Sequence, residues 1–261
     1  MTQTFETIRL ETDARGIARL TLNRPEKHNA FNATMIREIA SAAATLAVDQ
    51  SVRAVVLSAM GKSFCAGGDL AWMQSQVDAS RTARLAEASR LAAMLRLLDE
   101  LPKLLIGVIE GPAFGGGVGL ASVCDIVLAS PGATFALSET RLGLIPATIA
   151  PFVVRRIGLA SVRRFALNAR PFSVEEAFAM RLVSEIHPPH ELAEALDRQL
   201  DLVLACAPGA IADAKQLFRT AARGDLDEAA AVEALADRWE TAEAHEGITA
   251  FLQQRRPSWA R

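Results

Sequence analysis

Two glycine-rich turns are the segments of this sequence best suited to chemistry. They are residues 65–69, which read CAGGD, and residues 115–119, which read GGGVG. Each follows an apolar run typical of a buried strand, 52–57 or 104–109, and leads into a segment with helical spacing. Glycine leaves backbone N–H groups unshielded, and the start of a helix concentrates partial positive charge at them. Two such N–H groups pointing at one position would form an oxyanion hole. We therefore predict chemistry on a carbonyl whose oxygen gains negative charge, such as a thioester passing through an enolate.

These turns also have other interpretations. Gly117 and Gly119 after a strand are typical of a dinucleotide-binding turn, and Glu139 lies where a ribose-binding acid would follow. Ser122, however, occupies the place of the third glycine or alanine, and a nucleotide fold leaves residues 65–69 unexplained. The sequence contains neither a complete Walker-type phosphate loop nor a Gly-x-Ser-x-Gly nucleophile elbow. For either turn alone, close packing of a strand against a helix explains the glycines as well as a function does.

The strands and helices that must position these turns follow from the hydrophobic pattern. Residues 7–12 and 17–22 predict a β-hairpin, and Asn32 is suited to cap the helix that follows. Strand, helix and strand then repeat, which predicts βα crossover units, a partly parallel sheet and ligands at the carboxyl ends of its strands. Beyond Pro146 the strand signal fades. Amphipathic helices that would cap the core or contact other subunits are predicted at 191–204, 208–222 and 226–251.

Composition and charge exclude several functional classes. The 261 residues are 51% hydrophobic and 5% aromatic, which favours a one-domain α/β enzyme over a disordered or fibrous protein. The charges, with a net value of -2, are interspersed, so the pattern predicts no nucleic-acid partner. The cysteines have no paired or metal-binding spacing, which predicts a reducing compartment and no metal site. Without a signal-like start or an apolar run of membrane-spanning length, the sequence predicts a cytoplasmic protein with no membrane partner.

Several segments in order along the chain resemble the enoyl-CoA hydratase/isomerase, or crotonase, family. They are residues 20–25 with the following 27–30, 64–70 (FCAGGDL), 111–129 (GPAFGGGVGLASVCDIVLA), 134–146 (TFALSETRLGLIP) and 246–259. The resemblance implies an α/β fold built as a spiral of ββα turns, with residues 1-200 forming the core and its acyl-CoA site. It also implies a C-terminal helical trimerisation region at residues 201-261, and hence a homotrimer or a dimer of trimers. Coenzyme A is part of the substrate in this family, so no separate cofactor is implied.

The same resemblance assigns expected roles to individual residues. Gly68 and Gly116 align with the residues whose N–H groups form the family's oxyanion hole, and Glu139 aligns with a catalytic glutamate. The residues expected to bind coenzyme A are Lys27, Ala30, Ala66, Gly67, Asp69 and Leu70 within one subunit, with Phe251 and Arg255 reaching the coenzyme A of a neighbouring subunit. Asp69 considered by itself is better suited to cap the following helix than to carry a proton.

One position departs from the family pattern. The best-known hydratases carry two glutamates, and here Gly119 occupies the position of the first while Glu139 supplies the second. Glu139 considered alone would be a helix-start residue or a surface charge, but beside two candidate oxyanion turns it becomes the predicted acid/base. Ser138 and Arg141 flank it and could orient it or contact the substrate. We expect Gly119 to leave room for a substrate branch or an ordered water.

A single carboxylate is typical of two branches of the family. In isomerases, one base moves a proton across an allylic system. In bacterial hydratases of branched glutaconyl thioesters, the substrate brings a carboxylate of its own, which would need a cation such as Arg141, Arg155 or Arg156. Residues 137–158 resemble the methylglutaconyl-CoA hydratases of leucine catabolism and the isohexenylglutaconyl-CoA hydratase of terpene degradation. We therefore predict hydration of an α,β-unsaturated acyl-CoA, with Δ3,Δ2-isomerisation as the alternative and a catalytically weak acyl-CoA-binding protein as a third hypothesis.

Overall fold

A mostly parallel six-stranded sheet organises the structure, a computed structural model that describes residues 4–260. The strands are β1 (Ile8–Thr12), β2 (Ile17–Leu22), β3 (Ala54–Ala59), β4 (Leu104–Ile109), β5 (Ala113–Phe114), β6 (Ile126–Ala129), β7 (Thr134–Ala136), β8 (Phe172–Ser173) and β9 (Glu185–Ile186). The main sheet has the order β1-β2-β3-β4-β6-β9. The predicted hairpin is confirmed as the antiparallel pair β1–β2, and the other neighbouring pairs are parallel, as βα crossover units require.

A second, smaller sheet brings the two glycine turns together. It has the order β5-β7-β8, with β5 and β7 parallel and β7 and β8 antiparallel. Two isolated parallel bridges extend it, one between Phe31 and Gly68 and one between Cys65 and Ala113. Because Cys65 and Gly68 belong to the first turn and Ala113 directly precedes the second, this sheet holds the turns side by side.

Six of the helices in residues 4–260 begin at a side chain that caps them. They are α1 (Ala33–Val48), α2 (Leu70–Val77), α3 (Arg81–Asp99), α4 (Gly116–Val123), α5 (Ala150–Ala166), α6 (Val174–Ala179), α7 (Leu192–Leu204), α8 (Pro208–Arg223), α9 (Glu228–Trp239) and α10 (Ala242–Leu252). The predicted cap is confirmed at Asn32, whose side chain accepts a hydrogen bond from the Met35 N–H at 2.8 Å. None of the helices in residues 4–260 combines the length and hydropathy that crossing a bilayer requires.

The main sheet is covered on both faces. Along β3, Val55 and Leu57 belong to the apolar core formed with α1, α3 and α4. The alternate residues Ala54 and Val56 belong to a separate cluster formed with α7. This alternation is the period-two pattern of a strand buried on both sides, and it explains why β3 has no polar face in the sequence.

The three C-terminal helices are packed differently from the rest. Neither α8 nor α9 contains a buried residue, and α10 contains only Ala250. Their large apolar side chains are exposed, among them Phe218, Trp239 and Phe251. The predicted division at residues 200 and 201 falls inside α7, which still packs against the sheet, so the loss of burial begins at α8. Residues 1–3 and 261 of the predicted regions lie outside the described residues.

Two expectations for the C-terminal half are wrong. The single helix predicted at 226–251 is divided into α9 and α10, because the Thr241 hydroxyl accepts a hydrogen bond from the Ala244 N–H and starts a new helix. The fading strand signal beyond Pro146 also concealed β8 and β9, which are each two residues long. Strands this short carry no readable alternation.

Candidate active site

The two glycine turns touch each other through backbone atoms. Gly67 and Gly115 have positive φ angles of 91° and 49°. A Cβ placed on Gly67 would lie 3.2 Å from the Phe114 carbonyl oxygen and 4.0 Å from the Gly115 Cα. The Phe114 N–H also donates to the Cys65 carbonyl oxygen at 2.8 Å. Glycine is therefore needed at both turns for conformation and close approach.

Two backbone N–H groups at these turns are available to a ligand. Among the hydrogen bonds of residues 4–260, none uses the N–H of Gly68 or of Gly116. Gly116 is the first residue of α4, and its N-cap Gly115 has no side chain that could accept. Phe31 links the two positions, since its backbone bridges to Gly68 and a Cβ on Gly116 would lie 2.5 Å from its ring atom Cε2. Two such donors on adjoining turns are what the predicted oxyanion hole requires.

Glu139 lies against the second turn. It begins a 3₁₀ turn, Glu139–Leu142, and a Cβ on Gly115 would come within 3.1 Å of its Oε1 atom. Its Oε2 atom is buried and has no hydrogen-bond partner among the described residues. Burial raises the pKa of this carboxyl above its ordinary value, and this outweighs the opposing hydrogen bond from its own backbone N–H. A carboxyl with a raised pKa beside free N–H donors is suited to accept and return a proton.

The space expected beside Gly119 does not exist. A Cβ on Gly119 would lie 2.6 Å from Cγ2 of Ile149 and 3.7 Å from Cδ1 of Leu95. Ile149 is 2% exposed and directly precedes α5. The position is thus filled by packed apolar side chains, and the prediction that it holds a substrate branch or an ordered water is wrong.

Asp69 is a structural anchor, as its sequence position predicts. Its side chain accepts from the N–H groups of Ala71 and Trp72 at the start of α2 and pairs with Arg24 at 3.1 Å. Arg24 in turn donates to the Ala30 carbonyl oxygen at 2.7 Å. Burial raises the pKa of Asp69, but the Trp72 N–H and the Arg24 guanidinium outweigh it and hold the pKa below its usual value. Asp69 therefore stays ionised and is not suited to carry a proton.

The residues expected to bind coenzyme A fall into two places. Lys27, Ala30, Ala66, Gly67, Asp69 and Leu70 surround the first turn, where the Ala66 N–H donates to the His28 carbonyl oxygen at 3.0 Å. Lys27 and Leu70 are exposed there, whereas Ala30 is buried. Phe251, which is 82% exposed, lies near the end of α10, and Arg255 beyond it pairs with Glu246 at 2.7 Å. The structure thus places the first six residues around one turn, whereas Phe251 lies on α10 and Arg255 lies just beyond it.

Two of the three candidate cations lie away from Glu139. Arg155 pairs with Asp99, and Arg156 donates to the carbonyl oxygens of Cys124 and Leu182. These contacts are at the C-terminal end of α4, about 12 Å from Gly116 at 1.5 Å per residue. Both arginines line a cleft of about 530 Å³ with Lys215 and Arg219 of α8. The expectation that Arg155 or Arg156 meets a substrate carboxylate is therefore wrong, and Arg141 remains, in the same 3₁₀ turn as Glu139.

Sequence reasoning missed side chains that shape this site. Ile149 and Phe31 fill the space beside Gly119 and Gly116, and Trp72 with Met73 covers Gly68. Trp72 and Met73 could have been found from the helical spacing that returns them one turn above Gly68. Ile149 carried no such signal, because its contact with Gly119 joins distant parts of the chain.

The sequence and the fold both match those of known proteins. The profile of the family described as "Enoyl-CoA hydratase/isomerase" matches residues 12–261. The chain is 30% identical to the "Crotonyl-CoA hydratase" of Syntrophomonas wolfei over 98% of both proteins. Among solved structures, Pseudomonas aeruginosa AtuE is 39% identical with a TM-score of 0.94, covering 98% of this chain and 100% of that one. An enoyl-CoA hydratase from Shewanella pealeana is 34% identical with a TM-score of 0.94, covering 99% and 97%.

Proposed function

This chain is an enzyme of the enoyl-CoA hydratase/isomerase, or crotonase, family, and we propose that it hydrates an α,β-unsaturated acyl-CoA to a 3-hydroxyacyl-CoA. One observation carries the proposal. The Glu139 carboxyl, with a buried and unpaired oxygen, lies against the turn that presents the free Gly116 N–H, and the free Gly68 N–H lies on the adjoining turn. A single carboxyl and two backbone donors are sufficient for addition of water through an enolate.

The proposed reaction uses Glu139 twice. Glu139 accepts a proton from water as the water oxygen bonds to C3 of the acyl group. The electron pair of the double bond moves to the thioester oxygen, where the N–H groups of Gly68 and Gly116 stabilise the negative charge. Glu139 then returns the proton to C2, which restores the carboxylate. Burial raises the pKa of Glu139, which makes its carboxylate a stronger base for the first step than an exposed carboxylate would be. Coenzyme A is carried by the substrate, so the reaction needs no separate cofactor.

For the acyl group we propose a branched, glutaconyl-type substrate, as in leucine catabolism or terpene degradation. The likeness of residues 137–158 to such hydratases supports this choice. Arg141 supports it too, as a cation in the 3₁₀ turn that Glu139 begins. The carboxylate of a glutaconyl group could pair with this guanidinium. Replacing Arg141 with Gln should then raise KM for 3-methylglutaconyl-CoA and leave KM for crotonyl-CoA unchanged.

Hydration is tested by following oxygen from the solvent. With 3-methylglutaconyl-CoA in ¹⁸O-labelled water, we expect the hydroxyl of the 3-hydroxyacyl product to carry the label. The isomerase would be favoured if the double bond of a 3-enoyl-CoA migrated and no branched 2-enoyl-CoA took up label from the water. Binding of these thioesters without turnover would favour the catalytically weak binding protein.

We also propose that the protein assembles as a homotrimer or a dimer of trimers. The C-terminal helices bury almost none of their residues, and large apolar side chains on them are exposed: Phe218, Leu235, Trp239 and Phe251. This exposure supports the proposal that other subunits cover these helices. In such an assembly Phe251 and Arg255 would contact coenzyme A bound to a neighbour. Light scattering should give three or six times the monomer mass, and a stable monomer would contradict the proposal. A reducing, cytoplasmic location is supported by the free thiols of Cys65, Cys124 and Cys206.

A further inference from the structure

Two side chains of α2 cover Gly68, the residue that carries one of the free N–H groups. A Cβ on Gly68 would lie 3.2 Å from Met73 Cγ, 3.4 Å from Met73 Sδ and 3.5 Å from Trp72 Cζ3. The direction of α2 is fixed where it begins, because the Asp69 N–H donates to the Phe31 carbonyl oxygen and the Asp69 side chain caps the helix. One helical turn later, Trp72 and Met73 are therefore returned over Gly68.

The indole ring of Trp72 is held by packing and by a hydrogen bond: it is partly buried against the main core, although α2 contains no fully buried residue. Trp72 Nε1 donates to Oε2 of Glu87 on α3 at 3.3 Å, and the other carboxylate oxygen of Glu87 pairs with Arg90. The Glu87 side chain is only 16% exposed, so this carboxylate is committed to the contact. Arg84 of α3 ties down the far end of α2 by donating to the carbonyl oxygens of Gln76 and Val77.

We infer that Trp72 and Met73 form a wall that contacts the acyl group of the substrate, and that Glu87 is the positioning residue for this wall. The inference rests on the proposed binding of a thioester oxygen at the Gly68 N–H. An oxygen bound there brings the first acyl carbons next to Gly68, and the Trp72 ring and Met73 thioether lie within 3.5 Å of where a Gly68 Cβ would be. Because the wall is apolar, an apolar group close to the thioester should increase binding affinity. A methyl branch at C3 makes more contact with the wall than a hydrogen does.

The wall can be tested with thioesters that cannot be hydrated. Their binding does not depend on the proposed reaction, so the two proposals can fail independently. Calorimetric titration compares isovaleryl-CoA, which is branched at C3, with butyryl-CoA and free coenzyme A. The protein should bind isovaleryl-CoA roughly four- to tenfold more tightly than butyryl-CoA, as expected for one added methyl group in an apolar pocket. Trp72→Ala should abolish this preference without changing the affinity for free coenzyme A. Trp72→Phe, which keeps a ring, should retain most of it.

Glu87 is tested by its effect on the same preference. Glu87→Leu removes the acceptor for Trp72 Nε1 and should reduce the branch preference at least threefold, an effect on the order of one weak hydrogen bond. Glu87→Gln keeps an acceptor at the same distance along the side chain and should retain the branch preference. Glu100→Gln, at the end of α3 and facing Arg223, is the matched control and should leave the preference unchanged.

Two results would overturn the inference. In the first, Trp72→Ala keeps the branch preference, and the acyl group then contacts another surface. In the second, Trp72→Ala weakens binding of free coenzyme A as much as binding of isovaleryl-CoA, and the ring then supports the coenzyme. Loss of the branch preference in Glu87→Gln as well as in Glu87→Leu would overturn the positioning role of Glu87.

Discussion

The two glycine turns offer similar N–H groups from very different surroundings. The second turn opens α4, whose residues 117–123 are all buried, and a Cβ at Gly116 would collide with Phe31. The first turn opens α2, which buries no residue, and a Cβ at Gly68 meets the flexible end of Met73. Gly116 is thus required by core packing, whereas the space beside Gly68 would admit a methyl group after a small shift of Met73. One donor is fixed by the core, and the other lies beside two separate polar contacts, Asp69 with Arg24 and Trp72 with Glu87.

The largest effect is expected for the carboxyl between the turns. Glu139→Gln keeps the shape of the side chain but removes the base, so both donors would remain without a proton carrier. We expect kcat for hydration to fall by roughly 10²- to 10⁴-fold, while binding of isovaleryl-CoA changes little. Glu110→Gln, an exposed carboxylate elsewhere, is the control and should keep full activity. An active Gln variant would show that another group, or the substrate carboxylate, moves the proton.

The donor on the first turn can be deleted by a single substitution. Gly68→Pro removes an N–H that makes no hydrogen bond within residues 4–260, so the fold loses no such bond. We expect kcat to fall by about 10²- to 10³-fold, as for loss of one oxyanion donor. Gly68→Ala keeps the N–H and needs only a small shift of Met73, so it should stay within a few-fold of the original kcat. Equal losses in the two variants would argue that bulk, and not the donor, matters at this position.

A stability measurement tests the steric half of the comparison. Gly116→Ala should lower the free energy of unfolding by about 1–3 kcal/mol, because its Cβ overpacks the site against Phe31. Gly68→Ala should change it by no more than about 0.5 kcal/mol, because its Cβ would meet only side-chain atoms of Met73 and Trp72, and Met73 can shift. Urea denaturation measures both, and adding Phe31→Leu should recover part of the loss in Gly116→Ala only. Equal destabilisation by the two alanines would remove the distinction between the turns.

The smallest expected effect is the contribution of Glu139 to the pH dependence of stability. Burial raises the pKa of Glu139 in the folded protein above its ordinary 4.5. The folded state therefore favours the neutral acid. The contribution of protonated Glu139 to the free energy of unfolding is fully present below pH 4.5 and is lost as the pH rises through the folded pKa. Glu139→Gln stays neutral and should have the higher Tm near neutral pH, with no difference at about pH 4. A calorimetric scan in which the variant is less stable at neutral pH would contradict the stated pKa shift.

The parts of this protein that the sequence predicted are those determined by neighbours along the chain. The hairpin β1–β2, the bounds of β4 and the caps at Asn32 and Asp69 follow from local alternation and capping. The meeting of the glycine turns with Glu139 followed from family resemblance, and the structure supplies its geometry. The placement of Arg155 and Arg156 and the packing of Ile149 depend on how distant segments approach each other. No local pattern contains that information.

Ile149 also limits the order in which this site can change by mutation. Gly119→Glu alone would place its Cβ 2.6 Å from Ile149 Cγ2, so gaining the family's first glutamate here requires Ile149 to shift. Shrinking Ile149 first would leave a cavity beside Leu95, at a loss of about 2–5 kcal/mol for Ile149→Ala. Either path passes through a less stable protein before a second acid is gained. The number of carboxyls in this site is therefore maintained by epistasis within the core as well as by selection on the reaction.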